Sequence, residues 1–411
     1  MERLFSKLCM LIVVALALQM HGNKGCLENE RIALLAIKPF IINATVPYYA
    51  NVESWVDDHN RIVESWVDDR VSDCCDWYRV ECNTTTGRVM NLSLSGLLHE
   101  STTILNFSLF QPFEQLQILD LSDNSFRGWV DSRGLANLTN LEFLDLSFNG
   151  MSGSLQQENL RNLKFLDLSD NGMNGSLQEL GICNFKNLVE LNLHWNKFEG
   201  HLPPCVNNLT ILRTLDLSYN QLTGNIPSLN LMQSLEYLSL HDNNFITLHG
   251  IPSFLMYQHS LEFIDLSHNK LGGMFPTWLL QNNTRLQGMH LTDNSLSGIL
   301  QLPNSTHDLL ELTISNNNLT GQLPMNIGVI LPRLEHLDLS KNSLEGYIPW
   351  SMGEMKSLRM LDLSSNNFSG ELPKPFVSGC PSLEWLILSN NKFHGEIFPQ
   401  FMNMTRLDEL F

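Results

Sequence analysis

The sequence is poor in positive charge. Its 411 residues hold 25 lysines and arginines against 43 aspartates and glutamates, a net charge of −18. Proteins that bind nucleic acid or anionic membrane surfaces need the opposite balance, because lysine and arginine at phosphate groups supply much of their affinity. We therefore expect no nucleic-acid partner.

Long apolar runs and catalytic motifs are also missing. After the 11-residue apolar stretch 8–18, no segment has the roughly 18 uninterrupted apolar residues that a membrane helix needs. We predict no membrane span in this chain. The sequence has no G-x-S-x-G, H-E-x-x-H, P-loop or kinase signature. We therefore predict that the chain is not an enzyme, and that it binds no cofactor and no metal.

The N-terminus has the pattern of an export signal. Arg3 and Lys7 precede the apolar stretch 8–18, as in a secretory signal peptide. We predict that residues 1–25 are this signal, and that the mature chain is extracellular or on the outer face of the plasma membrane. Export permits glycosylation at Asn-x-Ser/Thr sites, and the candidates are Asn43, Asn83, Asn91, Asn106, Asn137, Asn174, Asn208, Asn282, Asn304, Asn318, Asn367 and Asn403.

A repeated pattern, L-x-L-x-x-N, fills most of the chain. Its asparagines, here called the ladder asparagines, stand at 124, 149, 171, 196, 220, 243, 269, 294, 317, 342, 366 and 391. Successive asparagines are 22 to 26 residues apart, and a glycine follows four residues later in 11 of the 12 units. A period of this length with this pattern is the signature of leucine-rich repeats.

The physical chemistry of the repeat predicts the fold. Leucines that alternate with polar residues form a short strand with one apolar face, and the asparagine side chain pairs with backbone groups where the strand ends. One unit cannot bury its leucines alone, so neighbouring units stack. We predict an α/β-type solenoid, a right-handed leucine-rich-repeat superhelix with a concave parallel β-sheet and a disulfide-stapled N-terminal cap.

The domain boundaries follow from where the repeat begins and stops. We expect residues 26–86 to form the cap, with a helix over 26–41, and residues 87–411 to form the array. The array has about 12 full repeats and ends inside a thirteenth, with Leu410 in the place of Leu386. An uncovered last unit would fray or associate.

Seven cysteines remain after the signal, an odd number that leaves one without a partner in an oxidising compartment. Cys183 and Cys205 lie in consecutive units, 12 and nine residues after their asparagines. Both precede the next strand, on the side opposite the sheet. We predict a disulfide between them, with Cys380 left over.

Three sequence features resemble the extracellular part of plant leucine-rich-repeat receptor-like proteins. They are the motif CCDW at 74–77, the helix pattern ER-ALL-IK, and the L-x-G-x-I-P extension of the repeats. In that family the cap cysteines pair first with second and third with fourth, which implies Cys26–Cys74 and Cys75–Cys82. The Arg79–Val80 pair departs from the family's usual Gly-Val.

The resemblance also implies a function. It implies a non-catalytic module that recognises a peptide, protein or glycan ligand in defence or developmental signalling, through a co-receptor kinase in trans. Polygalacturonase-inhibiting proteins share the architecture, so a secreted inhibitor of a cell-wall-degrading enzyme is an alternative. A truncated fragment without independent function is another.

The candidate ligand-binding residues lie at outward strand positions, which are six, four, two and one residues before each ladder asparagine (positions −6, −4, −2 and −1). The candidates are Phe148, His194, Trp195, Tyr219, His241, His268 and His290. Aromatic side chains on a rigid sheet make good ligand anchors. The aromatics at position −6, which are Phe143, Phe165, Tyr237 and Phe263, have the alternative role of packing across strands.

Acidic and histidine side chains alternate on part of this face. Asp242, Asp265, His268, His290 and Asp293 fall in neighbouring units. Nearby carboxylates favour the charged imidazole, so the pattern predicts a pH-sensitive patch. We expect it to favour an anionic or mixed-charge ligand at the acidic pH of plant extracellular fluid.

Overall fold

The computed structural model describes residues 25–42, 60–62, 64–69, 72–97, 104–153, 160–247, 250–395 and 404–410. Nearly all of the predicted signal peptide and the candidate glycosylation sites Asn43 and Asn403 lie outside these residues. The chain divides into two compact units. Unit one is 1–152 with 157–165, and unit two is 153–156 with 166–411.

Unit one begins with the helix Glu28–Ile42, which buries Leu34 and Ile37. Its fully buried Glu30 carboxylate lies 2.7 Å from Nε of Arg88 and accepts a hydrogen bond from the backbone N–H of Val89. A buried carboxylate is tolerated only with such partners. The ion pair therefore fixes the helix against the strand Val89–Ser93.

Two disulfides and a tryptophan pair hold the rest of the cap region. The structure pairs Cys26 with Cys74 and Cys75 with Cys82, with Cα atoms 5.7 and 5.4 Å apart. Trp66 is fully buried and stacks on Trp77 at 5.7 Å between ring centroids. Its Nε1 donates to the carbonyl oxygen of Tyr78 at 2.9 Å.

The first repeat strand comes one unit earlier than the asparagine pattern indicates. Val89–Ser93 pairs antiparallel with Val80–Cys82 and parallel with Ile118–Asp120, and the last of these pairs with Phe143–Asp145. Leu97 stands where this early unit would carry its asparagine. The antiparallel pair thus joins a strand before residue 86 to a strand after it. The boundary between cap and array that we placed at residue 86 stays a prediction.

In unit two, one strand from each repeat joins a parallel main sheet in chain order. These strands are Glu190–Asn192, Thr214–Asp216, Tyr237–Ser239, Phe263–Asp265, Gly288–His290, Glu311–Thr313, His336–Asp338, Met360–Asp362, Trp385–Ile387 and Glu409–Leu410. The register aligns the central apolar residues, so that Leu191 pairs with Leu215 and Leu215 with Leu238. Leu410 pairs with Leu386, as the sequence alignment predicts.

A second parallel sheet follows the ladder asparagines. Its strands in unit two are Gly172–Ser176, Lys197–His201, Gln221–Gly224, Asn244–Thr247, Lys270–Met274, Ser295–Ile299, Asn318–Gln322, Ser343–Gly346, Asn367–Gly370 and Lys392–Phe393. Short helices connect it back to the main sheet: Ile182–Asn184, Pro204–Asn208, Ser253–Tyr257, Thr277–Asn282, Ile327–Ile330, Trp350–Glu354 and Lys374–Gly379. In unit one, Ile104–Asn106 pairs with Gly128–Val130, and short helices cover Cys74–Asp76, Phe107–Phe110 and Ser132–Asn137.

The predicted asparagine ladder is confirmed. The Nδ2 group of Asn220 donates to the carbonyl oxygens of Leu217 in its own unit and Leu193 in the preceding one, at 3.2 and 2.9 Å. Its Oδ1 accepts from the backbone N–H of Phe198 at 2.9 Å. One side chain thus satisfies the backbone of two units at the point where the strand ends.

The cysteines of unit two lie in the connecting segments. The structure pairs Cys183 with Cys205, whose Cα atoms are 5.6 Å apart. Cys380 is buried and unpaired, and burial raises the pKa of its thiol to about 12.

The predicted fold class, a repeat solenoid with a parallel sheet and disulfides near the N-terminus, is confirmed. Among the described residues, no helix has the length and apolar character that crossing a membrane requires.

Candidate ligand-binding face

The residue just before each ladder asparagine adopts a left-handed backbone. In all 12 units its φ lies between +49° and +56°. The positions are Asp123, Phe148, Asp170, Trp195, Tyr219, Asp242, His268, Asp293, Asn316, Lys341, Ser365 and Asn390. Sequence reasoning missed this conformation. The sequence did contain an indication of it, because six of the 12 residues are Asp or Asn, the non-glycine residues that tolerate a left-handed backbone best.

Three bulky aromatic side chains occupy this disfavoured conformation. They are Phe148 in unit one and Trp195 and Tyr219 in unit two, and they are 59%, 56% and 38% exposed. A left-handed backbone costs an ordinary residue about 1–2 kcal/mol, and an exposed ring recovers little of that cost by burial. The repeat imposes this conformation in every unit, so the feature that points to function is the choice of a bulky aromatic side chain at an exposed position where it is disfavoured.

Trp195 and Tyr219 form the centre of an aromatic cluster. Their ring centroids are 4.9 Å apart, and the planes are inclined by 32°. His194 contacts the edge of Tyr219 at 5.1 Å, and His241 contacts it at 4.5 Å. The structure therefore brings together four of the seven predicted site residues. Phe148 belongs to unit one.

Polar groups fix the two histidines of this cluster. Nδ1 of His194 lies 2.7 Å from Oγ of Ser218, and Nδ1 of His241 lies 3.0 Å from a carboxylate oxygen of Asp242. Burial raises the pKa of Tyr219, and the nearby Asp242 carboxylate raises it further. The Tyr219 hydroxyl therefore stays protonated.

The remaining two predicted histidines belong to a separate acidic network. Nε2 of His290 lies 3.0 Å from Glu311 and its Nδ1 lies 3.7 Å from Asp265, while Nδ1 of His268 lies 3.1 Å from Asp293. Burial disfavours the charged imidazole of His290, but Asp265 and Glu311 outweigh it and raise its pKa. Burial likewise opposes ionisation of Asp265, yet hydrogen bonds from His290 and Ser267 lower its pKa.

Glu311 was not among the sequence-predicted residues. Glu311 bridges His290 and His336, because one carboxylate oxygen contacts His290 and the other lies 3.4 Å from Nδ1 of His336. The period of the repeat could have identified it, since Glu311 and His336 both occupy position −6 in consecutive units.

The position −6 aromatics pack across strands. Tyr237 stacks on Phe263 with centroids 4.8 Å apart, and Phe143 stacks on Phe165 at 4.1 Å. Gly288 leaves room for the Phe263 ring, because a Cβ there would collide with it. These contacts favour a bracing role for the position −6 rings.

Ten candidate glycosylation sites lie among the described residues. Six of these asparagines are exposed: Asn137, Asn174, Asn208, Asn304, Asn318 and Asn367. Asn83, Asn91, Asn106 and Asn282 are partly exposed. The only one of these ten described sites within a main-sheet strand is Asn91, in unit one.

Comparison with known proteins identifies the repeats. Leucine-rich-repeat family models match residues 137–154, 187–209, 212–254, 260–282, 307–368 and 382–404. Receptor-like protein 14 of Arabidopsis thaliana is 36% identical over 88% of this chain and 50% of its own length. The chain thus spans about half the length of the curated relatives it matches.

Solved structures agree with this comparison. The ectodomain of the Arabidopsis thaliana membrane receptor kinase GASSHO1/SCHENGEN3, in complex with CASPARIAN STRIP INTEGRITY FACTOR 2, has a TM-score of 0.57 and 26% identity. The match covers 92% of this chain and 52% of that one. The Arabidopsis receptor kinase HAESA, in complex with the peptide hormone IDA and the co-receptor SERK1, has a TM-score of 0.50 and 26% identity, over 90% of this chain and 75% of that one.

Proposed function

This chain belongs to the leucine-rich-repeat receptor-like proteins of plants, and we propose that it recognises an extracellular ligand through the outward face of its main sheet. The observation that carries the proposal is the placement of Trp195 and Tyr219. Both rings are exposed, both sit on a disfavoured backbone, and they contact each other. Related ectodomains bind protein or peptide ligands, as in the HAESA complex.

The proposal extends to signalling. Ligand binding outside the cell must be converted into an intracellular response. We propose that a co-receptor kinase supplies it in trans, at the outer face of the plasma membrane. The HAESA complex with SERK1 supports this by analogy.

The test begins with the isolation of candidate ligands. The full chain, secreted with an affinity tag from plant cells, is used to isolate binding components from extracellular fluid, and each component is then titrated alone. Trp195→Asn with Tyr219→Asn should abolish binding of the true ligand. Trp350→Asn is the matched control, because Trp350 is 53% exposed in a helix that connects the two sheets. If the double variant and the control lose ligand binding equally, or if neither loses it, the proposed site is rejected.

Two further assays separate the parts of the proposal. Ligand-dependent cross-linking to a kinase in plant membranes should occur with the wild type and not with the double variant. Its absence, with ligand binding intact, would reject the signalling part only. Inhibition of a polygalacturonase by the purified chain would instead favour the inhibitor alternative.

A further inference from the structure

We propose that Trp195 and Tyr219, together with Asp170 and Asp242, bind a lysine or arginine side chain in a basic segment of a peptide ligand. We call these four residues the aromatic–acidic cluster. The inference rests on the proposed function and names the chemistry of its ligand.

Backbone hydrogen bonds set the order of the cluster. The N–H of Asn171 donates to the Trp195 carbonyl at 3.1 Å, that of Asn196 to the Tyr219 carbonyl at 3.0 Å, and that of Asn220 to the Asp242 carbonyl at 3.1 Å. The four residues therefore follow one another in consecutive units, each just beyond the end of its main-sheet strand. The two aromatic rings lie between the two carboxylates.

The two rings present a surface that suits a cation. The face of an indole or phenol ring carries partial negative charge and attracts an ammonium or guanidinium group. Trp195 and Tyr219 together offer more than one ring face, because their planes are inclined and both are exposed. Asp242 stands at the equivalent position of the unit after Tyr219, which places a carboxylate beside this surface.

Apart from His194 and His241, the ionisable side chains at the outward positions around the two rings are acidic or tyrosine. At the outward positions from 167 to 242, the carboxylates are Asp167, Asp170, Glu190, Asp216 and Asp242, and lysine and arginine are absent from these positions. A cationic side chain gains from both the ring faces and the carboxylates. An anionic ligand is repelled. A neutral glycan can stack on the rings and donate hydroxyl hydrogen bonds to the carboxylates, but it lacks the positive charge that these carboxylates attract.

The test uses three synthetic probes of equal length on the full chain. They are (Gly-Ser-Arg)₃, the same peptide with citrulline in place of arginine, and the same peptide with glutamate. Citrulline keeps the shape of arginine but replaces the charged guanidinium by a neutral urea, in which a carbonyl acceptor takes the place of one donating nitrogen. By calorimetry we expect the arginine peptide to bind about tenfold or more tightly than the citrulline peptide, and the glutamate peptide not to bind.

Matched variants locate the binding. Trp195→Asn should remove binding of the arginine peptide, whereas Trp350→Asn should not. Asp242→Asn removes the charge with little change in size and should weaken binding about three- to tenfold. Asp293→Asn is its control, because Asp293 holds the same repeat position with the same left-handed backbone and likewise lies against a histidine, His268, but it stands two units further along the chain than Asp242, away from the two rings.

Several outcomes would overturn the inference. They are no saturable binding of the arginine peptide at millimolar concentration, equal binding of the citrulline peptide, or binding that survives Trp195→Asn. Saturable binding of cellohexaose that Trp195→Asn removes, without arginine-peptide binding, would replace it with a glycan site. If Trp195→Asn abolishes binding of the natural ligand while the arginine peptide never binds, the proposed function stands and only this inference fails.

Discussion

Replacing Trp195 by asparagine should leave the stability of the chain nearly unchanged. Two opposing effects are involved. Asparagine tolerates the left-handed backbone at this position, as it does at Asn316 and Asn390. The tryptophan contributes only the buried part of its surface and its contact with Tyr219.

The structure sets the magnitude of each effect. Relief of the left-handed backbone strain stabilises by about 1 kcal/mol. Because Trp195 is 56% exposed, it buries on the order of 50 Å² more apolar surface than asparagine would, or about 1.3 kcal/mol. Its ring pair with Tyr219 adds about 0.5–1 kcal/mol. The free energy of unfolding should therefore fall by about 1 kcal/mol.

Urea unfolding followed by circular dichroism measures this change. Leu193→Ala is the reference, since Leu193 is fully buried two residues earlier and its loss should cost about 2–5 kcal/mol. If Trp195→Asn also costs 2 kcal/mol or more, the ring is a brace for the sheet. The argument that its exposure serves ligand binding would then lose its basis.

Three further predictions test the ladder, the acidic network and the lone thiol. Asn220→Ala should lower the free energy of unfolding by roughly 2–4 kcal/mol, because buried backbone groups lose their partner; a loss under 1 kcal/mol would contradict the ladder's role. The His290–Asp265 pair contributes fully between pH 3.8 and 6.5, and its contribution is lost as the pH rises through the raised pKa of His290; His290→Gln should remove this part of the pH slope, and an unchanged slope would refute it. Cys380 should resist thiol reagents in the folded chain and react as one equivalent after unfolding without reductant, whereas three equivalents would show that a predicted disulfide is absent.

Most of the fold could be predicted from the repeat pattern alone. A leucine pair and an asparagine recur with a period that one backbone conformation can satisfy, so the strand, the ladder and the parallel sheet follow together. The early strand at Val89–Ser93 escaped the asparagine pattern because Leu97 replaces the asparagine. Backbone pairing with Ile118–Asp120 defines that strand instead.

The contacts between outward side chains were harder to predict. The period places Glu311 beside both His290 and His336, but only the structure shows that it bridges the two. The stacking of Tyr237 on Phe263 depends on Gly288 in the next unit. Such contacts depend on rotamers, which the repeat pattern does not specify.

The left-handed position separates the requirements of the fold from those of function. The ladder asparagine and the backbone hydrogen bonds hold this conformation in every unit, whatever the preceding side chain is. The fold alone would therefore favour aspartate or asparagine there, as in half of the units. A tryptophan and a tyrosine in consecutive units oppose that preference, and their exposure returns little stability. Selection for the fold does not account for Trp195 and Tyr219, and this is why we propose ligand binding as their role.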